Sequence, residues 1–281
     1  MKIAIVIDSS TGIKNTSDYK DLYLAPLMIT KENGEQIADD EKFTQEEFYK
    51  LYDAEMLKTS QTVPGDMMKL WDELLKDYDQ VLCLLLSKGL SGQYSTCKML
   101  AKSDEYIGKV YVADTNGVSI VLKRQLLKAL NLVNEGKNAS DILEVIEQEN
   151  QNFNVYIIPK KLDQLVRGGR ISKAAAGLAK LLKITPILKY DGTIDKESKT
   201  RTFRKAIDNA IDLLKKHHPD VHEIDVAYSR CGDDTLKMVK DSIIKNNYKI
   251  GLFDEIPNTI TCHTGEETFA IGVWKKVKKG D

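Results

Sequence analysis

The chain predicts an α/β fold in two domains: a largely parallel N-terminal sheet flanked by helices, then an α+β C-terminal domain. Three observations lead there. Up to about residue 150, apolar β runs alternate with stretches of helical apolar spacing, an order that builds a parallel sheet covered by helices. After residue 150, extended segments follow one another without a helix between them, near 186–194 and 250–274, which implies antiparallel pairing. And 281 residues with 42% hydrophobic content suffice for two domains, each burying a core. The boundary falls near residue 152, giving domains 1–152 and 153–281.

Residues 3–7 form the first strand. This apolar run has only five residues and no small-residue cleavage pattern follows it, so it is a strand and not a signal peptide. Residues 43–56 carry Phe48, Leu51, Tyr52 and Met56 at helical spacing, and 64–75 repeat the pattern. The hydroxyls of Thr59, Ser60 and Thr62 ahead of Pro64 suit helix capping. A second buried strand, 81–86, stops abruptly in Ser87-Lys88-Gly89-Leu90-Ser91-Gly92, and a helix starts from Tyr94. Val110–Ala113 is the third strand. Helices follow at 119–135 and 139–149, with Ser140 as N-cap of the latter. In the second half, Phe153–Ile158 is a strand closed by Pro159. Residues 162–182 are helical except at Arg167-Gly168-Gly169-Arg170. Thr185–Tyr190 is extended, Asp191-Gly192 is a turn, and 203–216 and 235–246 are helices. Strands are expected at 224–229, Lys249–Glu255 and Phe269–Trp274. No internal repeat or low-complexity segment interrupts the chain, and Lys275 to Lys279 form a solvated basic end.

Composition excludes several classes. Lys+Arg 41 against Asp+Glu 42 leaves a formal net charge of −1, without the basic excess of a dedicated nucleic-acid binder. No apolar run approaches the roughly 20 residues that span a bilayer, so the expected location is the cytoplasm. Cys83, Cys97, Cys231 and Cys262 show no CxxC spacing, which fits reduced thiols in a core. His217-His218-Pro219-Asp220-Val221-His222 is interrupted by Pro219, which breaks the helix that i, i+4 metal ligands need; no metal is expected. Neither a P-loop nor a G-x-G-x-x-G after a strand occurs, so no nucleotide cofactor is expected.

The loop at 87–92 is the richest chemical feature. Hydroxyls and glycines between a strand end and a helix start suit a small anion, because the helix N-terminus presents unpaired N–H groups and partial positive charge. Asp8-Ser9-Ser10 and Asp114-Thr115 occupy the same carboxyl edge of the sheet, where ligands of open α/β sheets bind. Thr59, Ser91 and His263 together offer two hydroxyls and one imidazole, enough donors for both oxygens of one carboxylate. A carboxylate beside His263 would favour the charged imidazole. A serine hydrolase competes for the same residues, with Asp8, Ser91 and His263 as triad. Against it, G-x-S-x-G is absent: Gly92 directly follows Ser91, and Gln93 stands where the elbow needs glycine. A regulatory interaction protein is the third class.

The ordered motifs Asp8-Ser9-Ser10-Thr11, Thr59-Ser60-Gln61, Ser87 to Gly92, Arg167-Gly168-Gly169-Arg170-Ile171, Pro186-Ile187-Leu188 and His263-Thr264-Gly265 resemble the DegV family of bacterial fatty-acid-binding proteins. The resemblance covers the whole chain. It implies the EDD fold, two α/β domains with a fatty acid buried between them, and no catalytic turnover. Some members present the acid to a fatty acid kinase of dihydroxyacetone-kinase-like type, for acyl-phosphate formation in phospholipid synthesis. Carried over by position, the resemblance implies that Thr59, Ser60, Ser91, Gly92, His263 and Thr264 bind the carboxylate. It places Arg170 and Arg201 near the head group, for partner docking or phosphate. Transient contact with a membrane surface belongs to the same expectation. This chain departs from the family pattern at Lys88, where many members have a second serine, and at Thr62, which replaces a proline. Glu266-Glu267 also follow the His-Thr-Gly motif where glycine is common. Ala174-Ala175-Ala176-Gly177-Leu178 and Leu181-Leu182 are candidates for one wall of an apolar acyl tunnel.

Overall fold

The computed structural model describes residues 1–181 and 183–275; Leu182 and the basic end from Lys276 to Lys279 lie outside the described residues. The chain folds as two units, Met1–Asn150 with Pro257–Cys262, and Gln151–Ile256 with His263–Asp281.

The first unit follows from strands that are apolar on both faces. Every residue of β1 (Ile3–Asp8) is buried. Three short strands follow, β2 (Leu22–Ala25), β3 (Met28–Thr30) and β4 (Gln36–Ala38), then helix α1 (Gln45–Ala54), β5 (Lys58–Ser60) and α2 (Pro64–Leu74). Next come β6 (Gln80–Leu84), buried throughout, α3 (Gln93–Leu100), β7 (Val110–Ala113), α4 (Ile120–Asn134) and α5 (Ala139–Gln148). The main sheet runs β2-β1-β6-β7, and all its pairings are parallel. Alternate side chains of a strand leave opposite faces, which builds two cores. Ile3, Ile5, Ile7, Leu82 and Leu84 pack on Leu122, Leu126 and Ala129 of α4 and Ile142 and Ile146 of α5. Ala4, Val6, Val81, Cys83 and Leu85 pack on Met67 and Trp71 of α2 and Cys97 of α3. Continuous apolar runs are what a parallel sheet covered on both faces requires.

A smaller antiparallel sheet, β4-β3-β5, corrects the capping assignment for Thr59 and Ser60. These residues pair with Ile29 and Met28 in β3. The N-cap of α2 is Val63, which makes no side-chain cap bond. Likewise the cap of α5 is Asn138, whose side chain accepts from the Asp141 amide, and not Ser140.

The second unit contains β8 (Phe153–Ile158), α6 (Asp163–Gly168), α7 (Lys173–Ala176), β9 (Thr185–Tyr190), β10 (Ile194–Thr200), α8 (Phe203–His217), β11 (Glu223–Tyr228), α9 (Asp233–Lys245), β12 (Lys249–Glu255) and β13 (Phe269–Trp274); between β12 and β13 the chain forms α10 (Asn258–Thr264), whose residues up to Cys262 belong to the first unit. Its sheet runs β10-β9-β8-β13-β11-β12. Antiparallel pairing holds at β9 and β10. Near 250–274 it holds for one strand only: β13 pairs antiparallel with both β8 and β11, whereas β12, separated from β13 by α10, pairs parallel with β11. Ala206, Ile207, Ala210, Ile211 and Leu214 of α8 cover one face of this sheet.

The single boundary near 152 also needs correction. Pro257–Cys262 return to the first unit, drawn by a buried carboxylate and an apolar contact. Asn258 Nδ2 donates to Asp39 Oδ1 at 3.0 Å, and Lys14 forms an ion pair with the same buried Asp39. Cys262 packs with Ile29, Phe43 and Phe48. No helix among the described residues is long and apolar enough to cross a membrane.

Candidate functional site

Three of the loops that leave the carboxyl edge of the parallel sheet carry candidate residues, and two of these commit them largely to backbone groups of neighbouring segments. After β1, Asp8 Oδ1 accepts from the Ser10 amide at 3.1 Å and the Ser10 hydroxyl at 2.5 Å, while Oδ2 accepts from the Leu86 amide at 2.8 Å. Burial pushes the Asp8 carboxyl up to about 6 despite these bonds. Ser9 Oγ accepts from the Leu27 amide, and Thr11 Oγ1 donates to the Asp8 carbonyl. The carboxylate expected as a triad member is therefore a clasp between the ends of β1 and β6. After β7, Thr115 Oγ1 donates to the Leu85 carbonyl and accepts from the Gly117 amide.

The third loop, 87–92, is arranged differently. The amides of Leu90 and Ser91 donate to the Ser87 carbonyl at 3.0 and 3.1 Å, curling the loop into a turn that feeds α3. Ser91 Oγ accepts from the Gln93 amide at 3.2 Å. A serine hydroxyl has one hydrogen besides its lone pairs, and that hydrogen goes to no partner among the described residues. The oxygen is thus held at the head of a helix, half-buried, with its donor free for a ligand. Gly92 has φ −71°, so its conformation does not demand glycine; a Cβ there would stand 3.5 Å from Gln61 Oε1.

That approach brings the Thr59–Ser60–Gln61–Thr62 segment onto the same helix start. Gln61 Oε1 accepts from Thr96 Oγ1 at 2.9 Å. Gln93 Oε1 accepts from the Thr62 amide at 3.0 Å, and Gln93 Nε2 donates to Thr62 Oγ1 at 2.8 Å. The Thr62 hydroxyl is shared between the Ala25 and Pro26 carbonyls, a job proline at this position could not do. Gln93, in the place a nucleophile elbow reserves for glycine, is a buried brace. Neighbouring strand residues face opposite ways. Thr59 is half-buried, whereas Ser60 is exposed and accepts from Gln36 Nε2 at 3.3 Å. Lys88 pairs with Asp114 Oδ2 at 2.5 Å, and that carboxylate holds its ammonium in the charged form.

In the second unit, the paired glycines serve two different needs. Gly169 ends α6 in the left-handed conformation, φ +66°, which glycine adopts without penalty. Gly168 makes room for His263: a Cβ there would lie 2.5 Å from His263 Nδ1. Arg170 Nη1 donates to the Gly168 carbonyl at 2.5 Å, anchoring the guanidinium beside the same ring. Burial first, and the Arg170 charge second, pull the His263 pKa down to about 4. The imidazole is neutral at pH 7 in the unliganded protein and keeps one N–H donor. Arg201 lies exposed, just ahead of α8. Of the small-residue stretch, Ala175 and Leu178 are buried, while Ala174, Gly177 and Leu181 are exposed. Among the described residues, no group of three or more His, Cys, Asp or Glu side chains could hold a metal ion.

A family model described as "Uncharacterised protein, DegV family" matches residues 2–276. The chain belongs to the DegV family. A DegV domain-containing protein of Staphylococcus aureus (strain N315) is 30% identical over 287 aligned positions, spanning 98% of this chain and 99% of that one. Among solved structures, the one described as fatty acid binding of a DegV family protein from Thermus thermophilus is 26% identical. It has a TM-score of 0.84 and covers 98% of this chain and 100% of that one. DegV from Bacillus subtilis, described as a fatty acid binding protein, is 27% identical with a TM-score of 0.82, at the same coverage. Within the family frame, the departures acquire physical roles. Glu266 pairs with Arg230 and Glu267 with Lys160, so the two acids after the DegV His-Thr-Gly motif carry their own counter-charges. Two features had no local signal in the sequence: the seat of His263 on Gly168, and the brace made by Gln61 and Gln93.

Proposed function

We propose that this DegV protein is a cytoplasmic carrier that binds a long-chain fatty acid and performs no chemistry on it. Thr59, Ser91 and His263 donate to the carboxylate, with Thr264 and the Gly92 backbone as further contacts. The acyl chain occupies an apolar tunnel. The observation that carries the reading is the Ser91 hydroxyl, fixed by the Gln93 amide at the head of α3 with its hydrogen uncommitted. The neutral, half-buried His263 supports it, since a desolvated imidazole N–H is a strong donor to an entering anion. The whole-chain likeness to relatives described as fatty-acid-binding supports it as well. Each buried methylene contributes about 0.8 kcal/mol, so a long acyl chain supplies most of the affinity and the head group sets orientation. Ser60, exposed on the face of β5 opposite to half-buried Thr59, is left out of the carboxylate contacts.

In this reading Arg170 and Arg201 face a fatty acid kinase that phosphorylates the presented carboxylate, because a planar guanidinium suits phosphate oxygens. The test is native extraction of the purified protein with lipid mass spectrometry, then rebinding of palmitate to delipidated protein. Failure of delipidated, folded protein to take up any long-chain acid removes the proposal. The hydrolase alternative is disfavoured by Asp8, whose oxygens are held by Ser10 and Leu86. Labelling of Ser91 by a fluorophosphonate would restore it.

A further inference from the structure

We infer that Ser229 and Thr268 are positioning residues that hold the backbone of the His263-Thr264-Gly265 turn, and through it the imidazole. The inference rests on the fatty-acid-binding reading for its consequence in affinity, though not for its consequence in the placement of the ring.

A helix ends with carbonyls that have lost their intrahelical donors and need others when buried. α10 ends at Thr264, and Gly265 follows in the left-handed region with φ +79°. The Thr264 carbonyl accepts from Thr268 Oγ1 at 2.9 Å, and the Gly265 carbonyl accepts from Ser229 Oγ at 2.8 Å. Both hydroxyl groups belong to fully buried residues. These donations use the one proton of each hydroxyl, and a lone pair of Ser229 Oγ accepts from the Thr268 amide at 2.9 Å. The Ser229 amide in turn donates to the Thr268 carbonyl at 3.0 Å. Ser229 and Thr268 sit one step beyond the Tyr228–Phe269 rung of the β11·β13 ladder. They therefore extend two central strands of the sheet and send their hydroxyls to the turn that carries His263.

The ring itself is seated separately, against Gly168 and beside Arg170. Backbone and side chain are thus located by different partners, and a shift in either moves the imidazole off its seat. A displaced ring gains water and loses the burial that keeps it neutral.

The experiment uses the full chain with isotope-labelled histidine, titrated by NMR, and palmitate binding by calorimetry after delipidation. Thr268→Val keeps the shape and removes the donor. It is expected to move the His263 pKa from about 4 toward the ordinary 6.5 and to weaken palmitate about tenfold. Thr268→Ser, which keeps a hydroxyl, should restore both. Ser242→Ala is the control for a lost buried hydroxyl in the same unit, since Ser242 bonds Asp208 and not the turn; it should leave both readouts at wild-type values. A folded Thr268→Val protein with wild-type titration and wild-type affinity overturns the inference. If Thr268→Val does not fold, Ser229→Ala is measured by the same two readouts and judged by the same outcomes. Wild-type protein that takes no palmitate defeats the fatty-acid reading alone, and the histidine titration still decides whether Ser229 and Thr268 place the ring.

Discussion

Replacing Gly168 by alanine separates two opposing effects whose sizes can be worked out. Gly168 is the last residue of α6, and its φ is not in the left-handed region. On conformational grounds alone, alanine should stabilise a helical position by roughly 0.5–1 kcal/mol. The added Cβ, however, meets His263 Nδ1 at 2.5 Å and Cε1 at 3.4 Å. Ordinary van der Waals contact begins at 3.4 Å, so the ring must retreat by about 1 Å or α6 must shift. Overpacking of this kind costs about 1–3 kcal/mol. The net expectation is a loss of about 1–2 kcal/mol in urea unfolding, with weaker palmitate binding as the imidazole leaves its place. In a His263→Ala background the clash is absent, and the same Gly168→Ala change should be neutral or stabilising. The double-mutant cycle therefore has a defined sign. A Gly168→Ala protein that is more stable than wild type, with an unchanged His263 titration, would refute the contact and the reasoning built on it.

Further outcomes are expected at neighbouring positions. Ser91→Ala should weaken palmitate about tenfold, while Ser60→Ala should change affinity less than about twofold, because Ser60 lies exposed on the opposite face of β5 from Thr59; equal losses in a displacement assay would reverse the assignment. Thr62→Val strips the acceptor from Gln93 Nε2 and the donor from two carbonyls, and should cost about 1–3 kcal/mol in thermal or urea unfolding. With a His263 pKa near 4 against 6.5, the unfolded chain binds more protons there between those values. Stability from this group is full above pH 6.5 and declines toward pH 4, by about 3 kcal/mol. A bound carboxylate acts oppositely, favouring imidazolium, so palmitate should bind with proton uptake and more tightly at pH 6 than at pH 8. Calorimetry in buffers of different ionisation enthalpy that detects no uptake sinks this linkage.

The amino-acid sequence alone specifies the α/β class, because runs such as Ile3 to Ile7 and Val81 to Leu86 are apolar at every position, and only strands buried on both faces tolerate that. It also marked the strand-loop-helix at 87–92 and the Arg-Gly-Gly-Arg and His-Thr-Gly motifs, since local composition carries turn and helix-start chemistry. It did not reveal β2 to β5: three- and four-residue strands are too short to show a period, and Lys58, Thr59 and Ser60 are polar. Long-range packing makes Thr59 a strand residue laced to α3 through Gln61 and Gln93, groups Pro257–Cys262 with the first unit, and requires glycine at Gly168 for the sake of His263. Each of these depends on partners 30 to 220 positions apart in the chain, on the order of magnitude of whole-domain separations. The physical reason is the same in every case. A hydrogen-bond donor, a buried carboxylate or a missing Cβ is visible in the sequence, but the group that needs it is chosen by how the chain packs.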